Sequence, residues 1–77
     1  MSPDNRRLEA ALLAAHATGD AEALVTLYFE AGRRAEARAE IDAACFFYTY
    51  AYVYALEHGH GDAHALHARL KAYGREE

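Results

Sequence analysis

"CFFYTYAYVYAL", residues 45–56, decides how this chain folds. Tyr48, Tyr50, Tyr52 and Tyr54 alternate with Thr49, Ala51 and Val53, and strict alternation is the period of a strand with one buried face. The segments on either side are rich in Ala, Glu and Arg, which favour helix. A strand here would need partners, no other segment alternates, and an isolated strand is unstable in water. Coiled as a helix over 41–58, the stretch puts Ile41, Cys45, Tyr48, Tyr52 and Ala55 on one stripe. Phe47, Ala51 and Tyr54 flank it, and Phe46, Tyr50 and Val53 cover much of the far side. The alternation is incidental. A helix that is apolar nearly all round is enclosed by protein, so this third helix is expected to be central. Tyrosine suits such a place, because each hydroxyl can reach water or a carbonyl at the edge.

Three more helices surround this one in the sequence. The first is expected over 3–17, with Ser2 as N-cap, Pro3 at the first helical position and Gly19 as the stop. Leu8, Leu12 and Ala15 form its apolar stripe. Asp20 then caps a second helix whose Leu24, Leu27, Tyr28, Ala31 and Ala35 follow helical spacing. Gly32 either ends that helix or lies within it at a cost of about 1 kcal/mol relative to Ala. Ala35, Glu36, Ala37 and Arg38 are good helix formers and Glu30 sits four residues before Arg34, so the helix is expected to run over 20–38. Equal lengths also let the second and third helices bury both faces of a hairpin. The fourth is expected over 62–73, with Ala63, Leu66, Leu70 and Tyr73 turned inward and Gly74 closing it.

The fold class is therefore all-α, a compact antiparallel four-helix domain of two helical hairpins, in a single unit of 77 residues. A chain this small buries only roughly 60% of its unfolded surface, so pairing with another copy would add stability. The net charge is −4 and the arginines are scattered among acidic residues. Without a continuous basic face to neutralise phosphates, nucleic acid is not an expected partner. No apolar run nears the ~20 residues that cross a bilayer, and the polar N-terminus does not read as a signal peptide. Cys45 is the only cysteine, which excludes an intrachain disulfide and suits a reducing compartment. The expected location is the cytoplasm, away from membranes.

"HATGDAEAL" at 16–24 aligns with "HGHGDAHAL" at 58–66, a shift of 42. Periods of about 34–47 belong to helix-pair repeats, although Gly-Asp-Ala is also general helix stop-and-start chemistry. "LVTLYFEAGRRAEARAEIDAA", residues 24–44, resembles one unit of the tetratricopeptide and Sel1-like helical-repeat families. Leu24 and Tyr28 match positions of the first helix, Gly32 the turn glycine, and Ala37 and Ala44 the small residues of the second helix. Val25 stands where a small residue is usual, Ile41 replaces an aromatic, and the closing proline is missing. The likeness covers about a third of the chain and implies a protein-binding scaffold without catalysis. It also implies a turn at Gly32, against the longer second helix.

Few side chains suggest chemistry. His58, His60, His64 and His67 fall within ten residues, and His60, His64 and His67, four and three apart, would share a face of the fourth helix suited to a divalent metal. His60 lies between two glycines, however, and no Cys or HExxH pattern joins it, so a solvated helix start is the expected reading and no metal or other cofactor is assigned. Cys45 beside Ile41 and Phe46 reads as a buried, inert thiol. Glu36, Glu40 and Asp42 read as a solvated turn. No phosphate loop, catalytic serine motif or paired carboxylates stand out, so no catalytic residue is assigned and the chain is not expected to be an enzyme.

The aromatic surplus is the stronger clue. Three short helices either wrap the third completely or leave part of it as an exposed patch, and such patches mark partner surfaces. Phe46, Tyr50, Val53 and Tyr54 are the expected partner-binding residues, with a protein partner or a symmetric homodimer as the occupant. The expected function is a small protein–protein interaction module. The alternative is a ligand- or metal-binding protein that uses the histidine cluster or a tyrosine-lined pocket.

Overall fold

Residues Ile41–Glu57 form one continuous helix, α3, in the computed structural model, which describes residues 3–75. It is joined by α1 (Pro3–Thr18), α2 (Ala21–Ala37) and α4 (Ala63–Ala72), and no strand occurs among the described residues. The helical reading of the tyrosine stretch holds, and the expected boundaries fall within a residue or two of those observed. The expected cap Ser2 lies outside the described residues. Among the described residues no helix is long and apolar enough to cross a membrane.

All four helices stop in the same way. The residue two beyond the C-cap donates its N–H to a carbonyl five back, as in Asp20 to Ala15, Glu40 to Ala35, His60 to Ala55 and Arg75 to Leu70. This Schellman geometry needs a left-handed residue just before that donor. Gly19, Gly59 and Gly74 supply it at φ of 68°, 63° and 73°, but between α2 and α3 the position is held by Ala39 at φ 61°. A local reading of the sequence finds three of these stops through their glycines and has no such signal for the fourth. Asp20 caps α2 as expected, its carboxylate accepting from the Ala23 N–H at 3.1 Å.

Consecutive helices pack in series, α1 on α2, α2 on α3 and α3 on α4, with turns short enough to make neighbours antiparallel. The Cα principal extents are 32 × 29 × 14 Å. Helix backbones of about 2.3 Å radius, packed with axes 8–10 Å apart, give a thickness of about 13–15 Å for two layers. The side chains agree with that arrangement: α1 reaches α3 through His16 and Tyr54, and α2 reaches α4 through Glu36 and Arg69. The radius of gyration, 12.0 Å, is close to the roughly 11.5 Å of a compact chain of this length.

Alanines set the core. Ala44, Ala51 and Ala55 are fully buried along the inner face of α3, beside Ala35 of α2. Their small side chains let the backbones come close, and Val25, Tyr48, Leu66 and Leu70 supply most of the bulk. α2 runs straight through Gly32 and is capped at Arg38, so the longer reading of this helix is the observed one. Of the two outcomes weighed for α3, complete wrapping or an exposed patch, the exposed patch is the observed one. α2 and α4 both cover its inner side, and a two-layer arrangement leaves the opposite side without a neighbour.

Candidate functional site

The uncovered side of α3 is the candidate site. Phe46 (56% exposed), Tyr50 (42%), Val53 (43%) and Leu56 (57%) are large apolar side chains in water. They recur every three or four residues, which places them along one helix side over three turns. Phe46 meets Tyr50 edge-on with centroids 4.9 Å apart, so the patch starts as a packed aromatic pair. Asp42 and Glu57 continue the same row at its two ends, both exposed, and they are the only ionised side chains on α3. Asp42 accepts a 2.5 Å bond from Arg75 yet remains 93% exposed. Glu57 makes no ion pair among the described residues.

Three of the four residues expected to bind a partner, Phe46, Tyr50 and Val53, therefore share this face. Tyr54 does not. It is half-buried, stacked on Tyr28 of α2 at 6.0 Å and edge-on to His16 of α1 at 6.1 Å. Tyr50 bridges the two environments, since its ring also stacks on Tyr28 at 5.3 Å. The Tyr28 hydroxyl and His16 Nε2 are hydrogen-bonded at 2.9 Å. Burial, reinforced by the neighbouring Tyr54 and Tyr50, raises the Tyr28 pKa above the usual phenol value. The stack anchors the outer stripe to α2 and α1. Leu56 was not among the residues expected from the sequence, although it continues the spacing of Phe46 and Val53.

On the inner side a second constellation appears that local sequence reading misses. The Glu36 carboxylate accepts from the Tyr48 hydroxyl at 2.8 Å, from Arg69 Nη1 at 3.0 Å and from the Tyr73 hydroxyl. Arg69 also donates to the Tyr48 oxygen at 3.2 Å, and its guanidinium lies over the Phe29 and Tyr48 rings. One carboxylate so ties α2 to α3 and α4. Glu36 is thus not a solvated turn residue, because it points along α2 toward the helix that arrives 33 residues later. The hydroxyls of Tyr73 and Tyr48, with Arg69, hold the Glu36 pKa below the ordinary carboxylate value. Burial first, and the bond to Glu36 second, push Tyr48 up to about 12. Each member of this clasp is bonded to another member, so it ties α2, α3 and α4 together.

The histidines do not converge. No group of three His, Cys, Asp or Glu side chains is placed to hold a metal ion among the described residues. His60 Nδ1 accepts the Asp62 N–H at 3.0 Å and so shapes the turn into α4. His67 packs against Tyr52 at 5.6 Å, and with His64 and Leu56 they line a shallow hollow of about 210 Å³. A larger hollow of about 360 Å³ opens between α1, α2 and α3, with Leu8, Leu12, Ala31 and Phe47 on its walls and Arg34 and Arg38 at its rim. Cys45 is buried, as expected. Comparison with protein-family models, with curated proteins and with solved structures returned no match.

Proposed function

We propose that this chain is a small, non-catalytic protein–protein interaction module whose docking surface is the outer stripe of α3. The observation that carries the reading is the exposure of Phe46, Tyr50, Val53 and Leu56 on one continuous side. Holding these side chains in water, with the aromatic pair already packed, makes their burial under a partner favourable at about 25 cal/mol per Å² of apolar area. Tyrosine at the centre of such a patch is the residue type that dominates binding energy in interfaces.

The helical-repeat likeness supports the same reading once its register is moved. Gly32 is mid-helix and Ala37 ends α2, so the unit cannot turn at Gly32. Tetratricopeptide units carry an aromatic, then Leu-Gly at the third and fourth positions after it, and Ala-x₃-Phe in the following helix. With α2 and α3 as the helix pair, Tyr28, Gly32, Ala44 and Tyr48 stand at those spacings. Ala31 replaces the leucine and Ala35 the second aromatic, so the resemblance stays partial.

Backbone amide NMR spectra of the labelled protein test the proposal. They are to be recorded against apolar-faced helical peptides and separately across a dilution series. Shifts centred on Phe46, Tyr50, Val53 and Leu56, lost in a Phe46→Ser/Val53→Ser variant of unchanged helix content, are expected. A chain that binds no peptide and shows no self-association at millimolar concentration would refute it.

A further inference from the structure

Resting on the α3 docking surface proposed above, we infer that its occupant is an amphipathic helix carrying Lys or Arg at both ends of its apolar face, not a second copy of this chain. The charge pattern of the surface leads to this partner. Asp42, Phe46, Tyr50, Val53 and Glu57 step by four, four, three and four residues, so they fall in one row on α3. The row is apolar in the middle and acidic at each end, with its carboxylates about 22 Å apart along the axis. Both carboxylates are exposed. Arg75 holds Asp42 through one oxygen and leaves the side chain 93% open to solvent.

A second copy meets this row badly. Antiparallel pairing centred on the stripe sets Asp42 of each chain against Glu57 of the other. Parallel pairing sets each carboxylate against its own equivalent. Either way carboxylate faces carboxylate at both ends of the contact, and like charges across an interface act against association. Arg75 screens Asp42, so the repulsion is carried chiefly by Glu57. The chain's net charge of −4 adds a repulsion of the same sign at longer range. A helix with basic ends turns both repulsions into attractions. To reach both carboxylates it must lie nearly along α3, at the shallow crossing angle of about 20° that ridge-in-groove packing allows.

Glu57 offers a clean test. It stands in the last turn of α3, where no basic residue accompanies it and a carboxylate opposes the helix dipole. Glu57→Lys therefore leaves the fold intact or slightly more stable. The probes are three helical peptides of about four turns with the same Leu/Ile face, ended by Lys, Gln or Glu. Calorimetric titration at low salt is expected to rank them Lys, Gln, Glu, with about tenfold between the extremes and a smaller gap at high salt. Against Glu57→Lys the preference should shrink by at least half on a logarithmic scale. Equal affinity for all three peptides, tighter binding of the Glu-ended one, or concentration-dependent dimerisation through Phe46 and Val53 would overturn the inference and leave the docking surface standing. Failure of every peptide to bind, with a strict monomer in sedimentation, would remove the docking surface itself.

Discussion

The ring of Tyr48 lies directly on the backbone of Gly32. A Cβ added to Gly32 would come within 2.3 Å of Tyr48 Cε1, 2.5 Å of Cδ1 and 2.9 Å of Cζ. The ring is fully buried and fixed at its hydroxyl by Glu36, so it cannot step aside. Alanine would gain about 1 kcal/mol of helix propensity, against an overpacking cost of about 1–3 kcal/mol plus the lost clasp geometry. Gly32→Ala is expected to lower stability by about 1–2 kcal/mol in urea unfolding. Combined with Tyr48→Leu, the two losses should fall well short of additive, because the second change removes the ring that the methyl group strikes.

The opposite substitution is favourable seven residues later. Ala39 holds the left-handed position that glycine holds at the other three helix ends, and a non-glycine residue is strained there by about 1–2 kcal/mol. Part of that gain is offset by the greater freedom glycine gives the unfolded chain. Ala39→Gly is expected to raise the urea midpoint, by about 0.5–1 kcal/mol in stability.

Acid should loosen the clasp. The folded pKa of Glu36 lies below its ordinary value, so its contribution is present above the carboxylate range and fades as pH falls through the lowered value. Urea midpoints followed from neutral pH to about pH 3 should drop. Glu36→Gln should start lower and show a shallower drop. A variant curve parallel to the wild type would mean that the clasp does not contribute to acid stability.

Alkali should act through Tyr48. Its folded pKa is raised to about 12 from 10.0, so its contribution is complete below pH 10 and is lost as pH rises toward 12. Absorbance titration at 295 nm, a wavelength at which phenolate absorbs, should show a delayed tyrosine coupled to unfolding. Tyr48→Phe should abolish that late step. It should also cost about 0.5–1.5 kcal/mol at neutral pH for the missing hydrogen bonds.

How far these features are legible in the amino-acid sequence depends on distance along the chain. Helix starts and stops at Asp20, Gly19, Gly59 and Gly74 are local chemistry, and they read correctly. The stripe Phe46–Tyr50–Val53 is legible for the same reason, since helical spacing alone puts these residues together. Tyr54 misleads because its burial is decided by Tyr28 and His16, which belong to other helices. Glu36 misleads in the same way: its partners Tyr48, Arg69 and Tyr73 lie 12, 33 and 37 residues on, beyond any local pattern. Gly32 was ambiguous because its reason to be glycine is a ring on the next helix rather than a turn of its own.

The series packing of the four helices also bears on how fast this molecule assembles. Each helix finds its main neighbour across a turn of a few residues, so most loops to be closed are short and little chain entropy is spent before packing begins. Chains built from such local contacts refold in microseconds to milliseconds. Stopped-flow mixing should accordingly find refolding largely finished within its dead time, with the long-range docking of α4 onto Glu36 and of α1 onto Tyr54 as the slowest resolvable events.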